Sequence, residues 1–381
     1  MVKLSVIVPV YNMAAGGKLE YCLKSLARQT LPAGSYEILA VDDASSDESP
    51  EILRRYAAEF PDRFTAVCCP VNHHQGGAKN AGLSLARGEW IGFIDADDWV
   101  TPDFYEKLLE AAEREGADMA GCDYCLVDRH TMECGQIVHN NRPEQAGELD
   151  AEKYRSLILD SGSLVVKIYR RELILGVRRQ TNFAAFSAED ERAHKIAELE
   201  EDRGRLAVFP EDIFYEDNAV CKSWMLRAKR FAYLQEPMYY YLQHGASTVH
   251  NFSEKNMEDR KEAARLMLEE ARRQGYFDEY RPELEYAFTV LFYGNTLFTV
   301  MRAGRGIRNR FGFTARLGRE MRETFPGFQE NPYYQERMGP EEKRMIRLQQ
   351  RFHPAFYLYY RLLWAYRDIR AGRKRPIRND E

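Results

Sequence analysis

Residues 1–120 alternate short apolar runs with stretches of helical spacing. Runs of strand length fall at Leu4–Val8, Glu37–Val41, Phe64–Cys68, Glu89–Ile94 and Asp118–Gly121. Between them, apolar positions recur with a helical period over Leu19–Arg28, Glu48–Phe60, Ala78–Ala86 and Pro102–Arg114. Strands that alternate with helices of this length predict βαβ units and a mainly parallel sheet. Right-handed crossovers then bring the strand carboxyl ends to one edge, where open α/β sheets bind their ligands.

Those ends are polar. The first strand runs into Pro9-Val10-Tyr11-Asn12 and the second into Asp42-Asp43-Ala44-Ser45-Ser46-Asp47. The third leads to Asn72-His73-His74-Gln75-Gly76-Gly77, just before a helix, and the fourth stops at Asp95-Ala96-Asp97-Asp98. Clustered carboxylates are poor core material, since a like-charge pair 4 Å apart costs about 4 kcal/mol at an effective dielectric of 20. A bound cation turns that cost into binding energy, and hard oxygen ligands favour magnesium or manganese. A solvated turn that caps the helix starting near Pro102 is the plainer reading of the same acids.

Composition narrows the class. The chain has 381 residues, a net charge of −5 and 45% hydrophobic residues, enough for one large domain and a smaller one. That charge gives no support for nucleic-acid binding. Seven cysteines without regular spacing point to a reduced compartment rather than a disulfide framework. The N-terminus lacks the apolar length and small-residue cleavage site of a signal peptide. No apolar segment reaches the ~18–20 residues of a spanning helix. The nearest, Tyr286–Met301, is broken by Gly294 and Asn295 and reads as a buried helix. A cytoplasmic protein is expected.

Four segments, VPVYN, VDDASSDES, GGAKNAGLSLARGEW and IDADDWV, occur in this order and spacing. Together they resemble the nucleotide-binding half of a family 2 glycosyltransferase with a GT-A fold, closely over residues 1–125 and more weakly to about 250. The resemblance implies a GT-A α/β domain over 1–250, with nucleotide-sugar binding in 1–125 and the acceptor side in 126–250. A helical C-terminal region, 251–381, would follow. It places the donor on Pro9, Tyr11, Asn12, Asp42, Asp43, Gly76, Gly77, Lys79, Asn80, Asp95, Ala96 and Asp97. Tyr11 offers a flat ring to a uracil base, and Asp42 or Asp43 can accept a base N–H. Glycines at a helix N-terminus let backbone N–H groups approach a phosphate. Lys79 stands where the family often has Arg, which weakens bidentate phosphate contact. Asp95 and Asp97 match the family's DxD motif, which implies Mg2+ or Mn2+ between these acids and the diphosphate of a UDP-sugar.

Further on, Lys167-Ile168-Tyr169-Arg170-Arg171-Glu172-Leu173 and Phe209-Pro210-Glu211 resemble the acceptor half, with an insertion near 180–205. Glu216-Asp217 opens a helical pattern with Val220, Cys221, Trp224, Met225 and Ala228 on one face. Acids there cap a helix; by resemblance Asp217 is the general base of an inverting transfer, with Glu216 as the fallback. A Tyr-rich strand at Glu236–Tyr241 precedes His244, which by resemblance contacts the leaving phosphate or is an ordinary loop histidine. Cys122, Cys125, His130, Cys134 and His139 do not follow a zinc-finger spacing, so a hairpin or loop beside the acceptor cleft is expected. The stretch from Arg351 to Arg378 mixes aromatics with arginines. It fits an interfacial helix on an anionic membrane or, equally, aromatics packed on the domain with a solvated basic end.

The family-level expectation is transfer to a glycan or lipid-linked acceptor in bacterial surface polysaccharide synthesis. A nucleotidyltransferase, or a silent glycan- or membrane-binding protein of the same fold, are the alternatives. Sugar, acceptor and oligomeric state are not legible.

Overall fold

The computed structural model describes residues 2–160, 162–175, 208–243, 253–302 and 306–370. The expected insertion near 180–205 and His244 lie outside them. The first four strands and the three helices between them appear in the predicted order, α3 starting earlier than predicted: β1 Leu4–Val10, α1 Lys18–Ala27, β2 Tyr36–Asp42, α2 Ser49–Glu59, β3 Phe64–Cys68, α3 His74–Leu85, β4 Trp90–Phe93. The chain continues through β5 Trp99–Val100, α4 Phe104–Glu115, β6 Met119–Val127, β7 Gln136–Val138 and β8 Gly147–Glu148. Next come α5 Ala151–Leu159, β9 Lys167–Arg170, α6 Arg171–Leu175, α7 Glu216–Met225 and β10 Arg230–Leu242.

The strands form one sheet in the order β3-β2-β1-β4-β9-β6-β10-β5, with β7 on β6 and β8 on β10. β1, β2, β3 and β4 pair in parallel, as do β6 and β10. β9 is antiparallel to both β4 and β6. Six strands therefore point the same way and one reversed strand is wedged between them. Both faces of β1 and β2 are buried, which is why these strands read as continuous apolar runs rather than alternating ones. After the acids at 95–98, β5 pairs with β10 through Trp99↔Tyr240 and Val100↔Tyr239, so the DxD turn is stitched to the Tyr-rich strand.

The cysteine segment forms the expected hairpin, β6 with β7. Its cysteines depart from the reduced picture: Cys125 and Cys134 are joined by a disulfide, with Cα atoms 5.3 Å apart. Cys22, Cys68, Cys69, Cys122 and Cys221 form no disulfide. His139 pairs with Asp123 (2.8 Å) and His130 stacks on Tyr21, so the candidate ligands disperse.

The C-terminal third is helical: α8 Glu254–Arg273, α9 Arg281–Phe288, α10 Thr296–Arg302, α11 Arg310–Thr324, α12 Pro332–Arg337, α13 Pro340–Arg351 and α14 His353–Arg370. A π-helical turn, Thr289–Asn295, joins α9 to α10. This rod carries the apolar stretch noted above and buries Phe288, Phe292, Tyr293, Leu297 and Val300 in a second core, distinct from the one around the sheet.

Candidate functional site

The expected strand ends meet along one edge. At β1, Pro9 lies inside the strand opposite Val41, so its ring belongs to the sheet, and Tyr11 and Asn12 are what reach the surface. Tyr11 is 49% exposed. Asn12 adopts a left-handed conformation (φ 51°), and its side-chain oxygen accepts the Ser46 amide (2.8 Å), tying the β1 loop to the β2 loop. At the end of β2, Asp43 accepts the His73 amide through Oδ1 (2.9 Å). Its Oδ2, and Oδ1 of Asp42, are buried without a hydrogen-bond partner. Burial pushes Asp43 up to about 6, against the pull of the His73 amide. Orphaned buried acceptors are rare, so each of these two oxygens is a candidate to accept an N–H from a ligand.

The Gly76-Gly77 pair is not an open loop. α3 begins at His74, four residues before the apolar pattern predicts, and both glycines lie in its first turn. A Cβ on Gly76 would sit 2.1 Å from the Pro210 carbonyl oxygen, and one on Gly77 2.2 Å from the His73 Cβ. The Gly77 amide already donates to His73 (3.2 Å). Absence of side chains here lets the 208–211 segment lie against the helix. Asn80 serves the same contact. Its Oδ1 accepts the amides of Val208 (3.0 Å) and Phe209 (2.9 Å), and its Nδ2 donates to the Phe209 carbonyl (2.9 Å) and Glu211 (3.0 Å). The amide has no capacity left for a donor phosphate.

Lys79 departs from its expected phosphate role in the same way. It is 2% exposed, and its Nζ donates to Glu216 Oε1 at 2.5 Å. Burial lowers its proton affinity, but the charges of Glu216, Asp95 and Asp217 outweigh this and hold the ammonium well above its ordinary range. Glu216 is itself 4% exposed. With Lys79 on it, Glu216 is a structural counter-ion and a poor candidate for a base. Asp217, one residue on, accepts the Asn218 backbone and side-chain amides, both at 2.8 Å. Burial and the Glu216 charge raise Asp217 above the usual carboxylate range, while Lys79 pulls it back.

In the DxD turn, Asp98 is buried: it accepts the Tyr239 hydroxyl (2.6 Å) and the Leu242 amide (2.9 Å), as a supporting residue should. Ala96 packs into the core. Asp95 and Asp97 are half-buried. Burial pushes Asp95 up to about 7; Lys79 draws it down, and Asp97, Glu216 and Asp217 push it further up. The DxD acids and the Glu216-Asp217 pair thus share one electrostatic field. No group of three or more His, Cys, Asp or Glu side chains suited to a metal occurs among the described residues. Two carboxylates fit the way magnesium binds beside a nucleotide, with one or two acids and the substrate's phosphates completing the shell. The raised proton affinity of Asp95 is the electrostatic cost that such a cation relieves.

Sequence reasoning missed what holds Asp217 in place. Tyr215 and Asp212 both adopt left-handed conformations before α7. Helix α8 clamps that turn: Arg260 donates to the Tyr215 hydroxyl (2.8 Å), Lys255 to the Asp212 carbonyl (2.9 Å), and Asp259 accepts the Phe214 amide (3.2 Å). The one trace in the sequence is a polar cluster, Lys255, Asp259 and Arg260, on one face of α8.

Residues 5–174 match the family model described as glycosyl transferase family 2. The match covers a little under half of the 381 residues, and it is this segment that is similar to the family. It is 29% identical to an uncharacterised glycosyltransferase of Escherichia coli K12, YibD, over 67% of this chain and 66% of that protein. The putative glycosyltransferase EpsH of Bacillus subtilis is 28% identical over 76% of this chain and 74% of its own length. Among solved structures, Staphylococcus aureus TarS 1-349 in complex with UDP superposes with a TM-score of 0.61, covering 100% of this chain and 95% of that one. At 19% identity that likeness speaks for the GT-A fold alone.

Proposed function

We propose that this glycosyltransferase inverts the anomeric centre of a UDP-linked sugar and transfers it to a hydroxyl of a glycan or lipid-linked acceptor. The observation that carries this reading is the division of labour at the start of α7. Lys79 locks Glu216, leaving Asp217 as a carboxylate of raised proton affinity in the same field as Asp95 and Asp97. Asp217 takes the acceptor hydroxyl's proton as the new C–O bond forms and the bond to the diphosphate breaks. A pKa drawn towards neutrality suits that task, because a base works best when its pKa lies near the working pH. Asp42 and Asp43 hold the base through their orphaned oxygens, and Tyr11 lies against its ring. Mg2+ or Mn2+, held by Asp95 and Asp97, would supply positive charge to the leaving diphosphate. Lys79 contributes from beneath, by fixing Glu216 and keeping the buried acids from repelling one another. The UDP in the S. aureus structure belongs to that protein; it makes uracil the first base to test.

Calorimetric titration of UDP, beside GDP, TDP and CDP, in manganese and then in EDTA, tests the donor half. Manganese-dependent binding of UDP that Asp97→Ala removes is expected; binding of no nucleotide under any condition overturns the reading. Asp217→Asn should keep UDP binding and lower turnover by roughly 10²–10⁴-fold, the usual worth of a general base. Undiminished turnover removes Asp217 from the mechanism.

A further inference from the structure

The aromatic helix α14 has two apolar faces, and only one is covered. Inward, Phe356 and Tyr360 are buried in the second core, and Trp364 meets Phe298 edge-to-face with ring centroids 5.3 Å apart. Outward, Leu358 is 61% exposed, Leu362 63%, Tyr366 59% and Ile369 80%. At one residue per ~100° these four share an arc of about 80°, opposite the packed face. A surface helix ordinarily turns polar residues to solvent. This one shows leucine, tyrosine and isoleucine.

The charge around that arc has one dominant sign. Arg361 and Arg370 are exposed on its two flanks, and Arg344 of α13 lies over the Tyr359 ring at 5.8 Å. From Arg361 onward the sequence carries seven basic residues (Arg361, Arg367, Arg370, Arg373, Lys374, Arg375, Arg378) against three acids (Asp368, Asp380, Glu381); Arg367 is paired with Glu341 of α13 (3.0 Å) and leaves six. We propose that the outer face of α14 is a peripheral binding surface for an anionic lipid leaflet. Leu358, Leu362, Tyr366 and Ile369 enter the acyl boundary, and the flanking arginines meet the headgroup phosphates. A second copy of the chain fits less well. A two-fold interface sets the same patch against itself, which would bring the basic flanks of Arg361 and Arg370 together across it. Four side chains on one helix also fall short of the roughly 20–30 residues per side of a stable interface. The described helices include none long and apolar enough to cross a membrane, so the contact is interfacial. The inference goes beyond the transfer reaction and does not depend on it.

The test is co-sedimentation of the full chain with vesicles of phosphatidylcholine alone and of phosphatidylcholine with phosphatidylglycerol. Binding to the anionic vesicles only, weakened by salt and reduced at least about tenfold by the double change Leu362→Asp/Ile369→Asp, is expected. Both positions are exposed, so the variant should keep the parent's melting midpoint and nucleotide affinity. Binding to neither vesicle, or equally to both, overturns the proposal. So does a dimer by light scattering that the double change dissolves, which would assign the face to a second copy.

Discussion

Replacing Lys79 by methionine removes one member of a buried ion pair whose side chains are 3% and 5% exposed. At 2.5 Å and an effective dielectric of 20 the mutual attraction is about 7 kcal/mol. Withdrawing both ions from water costs several kcal/mol each, so the intact pair nets little. Breaking it is another matter. Glu216 would remain as an uncompensated buried carboxylate beside Asp217 and Asp95, a loss of roughly 3–5 kcal/mol. With an unfolding entropy of about 2.1 cal/mol/K per residue, a 381-residue chain that melts as one unit loses about 4–6 °C, and more if the sheet half melts alone. The double variant Lys79→Met/Glu216→Gln carries no buried charge at these positions and should recover most of the loss. Differential scanning calorimetry on the three proteins measures this directly. The pH–rate profile supplies an independent readout. Lys79 lowers the pKa of Asp217 and Glu216 raises it. Removing the lysine alone therefore moves the acid limb to higher pH, and removing both charges moves it back. A single variant within about 1 kcal/mol of the parent, or a double variant no more stable than the single, would refute the buried-pair reasoning. An acid limb that stays put in all three would refute its link to Asp217.

The donor cradle and the acceptor scaffold give two more expectations. Burial pushes Asp43 up to about 6 in the free protein, and the carboxylate accepts a base N–H more strongly than the neutral acid does. UDP affinity should therefore hold above pH 7 and weaken below 6, by at most about tenfold per unit; Asp43→Asn should flatten that dependence, and an unaltered slope in the variant would move base recognition elsewhere. Asn80→Ala deletes four hydrogen bonds to the 208–211 segment, each worth about 0.5–1.5 kcal/mol net. The melting midpoint and turnover should fall while the UDP dissociation constant stays constant, whereas a selective loss of UDP affinity would return Asn80 to the donor.

The DxD turn and the start of α7 were legible for related reasons: charge stands where an apolar strand stops at one, and where an apolar helical pattern begins at the other. The roles of Lys79 and Asn80 were not legible. A lysine or an asparagine behind two glycines looks the same in sequence whether it faces a phosphate or a neighbouring loop. What separates the cases is the approach of Pro210, more than a hundred residues away, to within Cβ distance of Gly76. The Cys125–Cys134 disulfide was hidden in a similar way, because it depends on the register of β6 against β7. The tail posed a choice between core packing and membrane contact; one face of α14 packs into the second core, and the opposite face stays exposed.

By itself, then, the sequence determined the alternation of strands and helices, the common edge of the parallel strands, and the acids that crowd it. These follow from local periodicity and from the geometry of right-handed crossovers, which need no knowledge of distant contacts. Tertiary structure alone decided which acid meets Lys79. Glu216 and Asp217 are adjacent and chemically alike, and each could have met Lys79. The left-handed turn at Tyr215, held by Arg260 of α8, sets the phase of α7, so that one carboxylate turns inward to the lysine and the next does not.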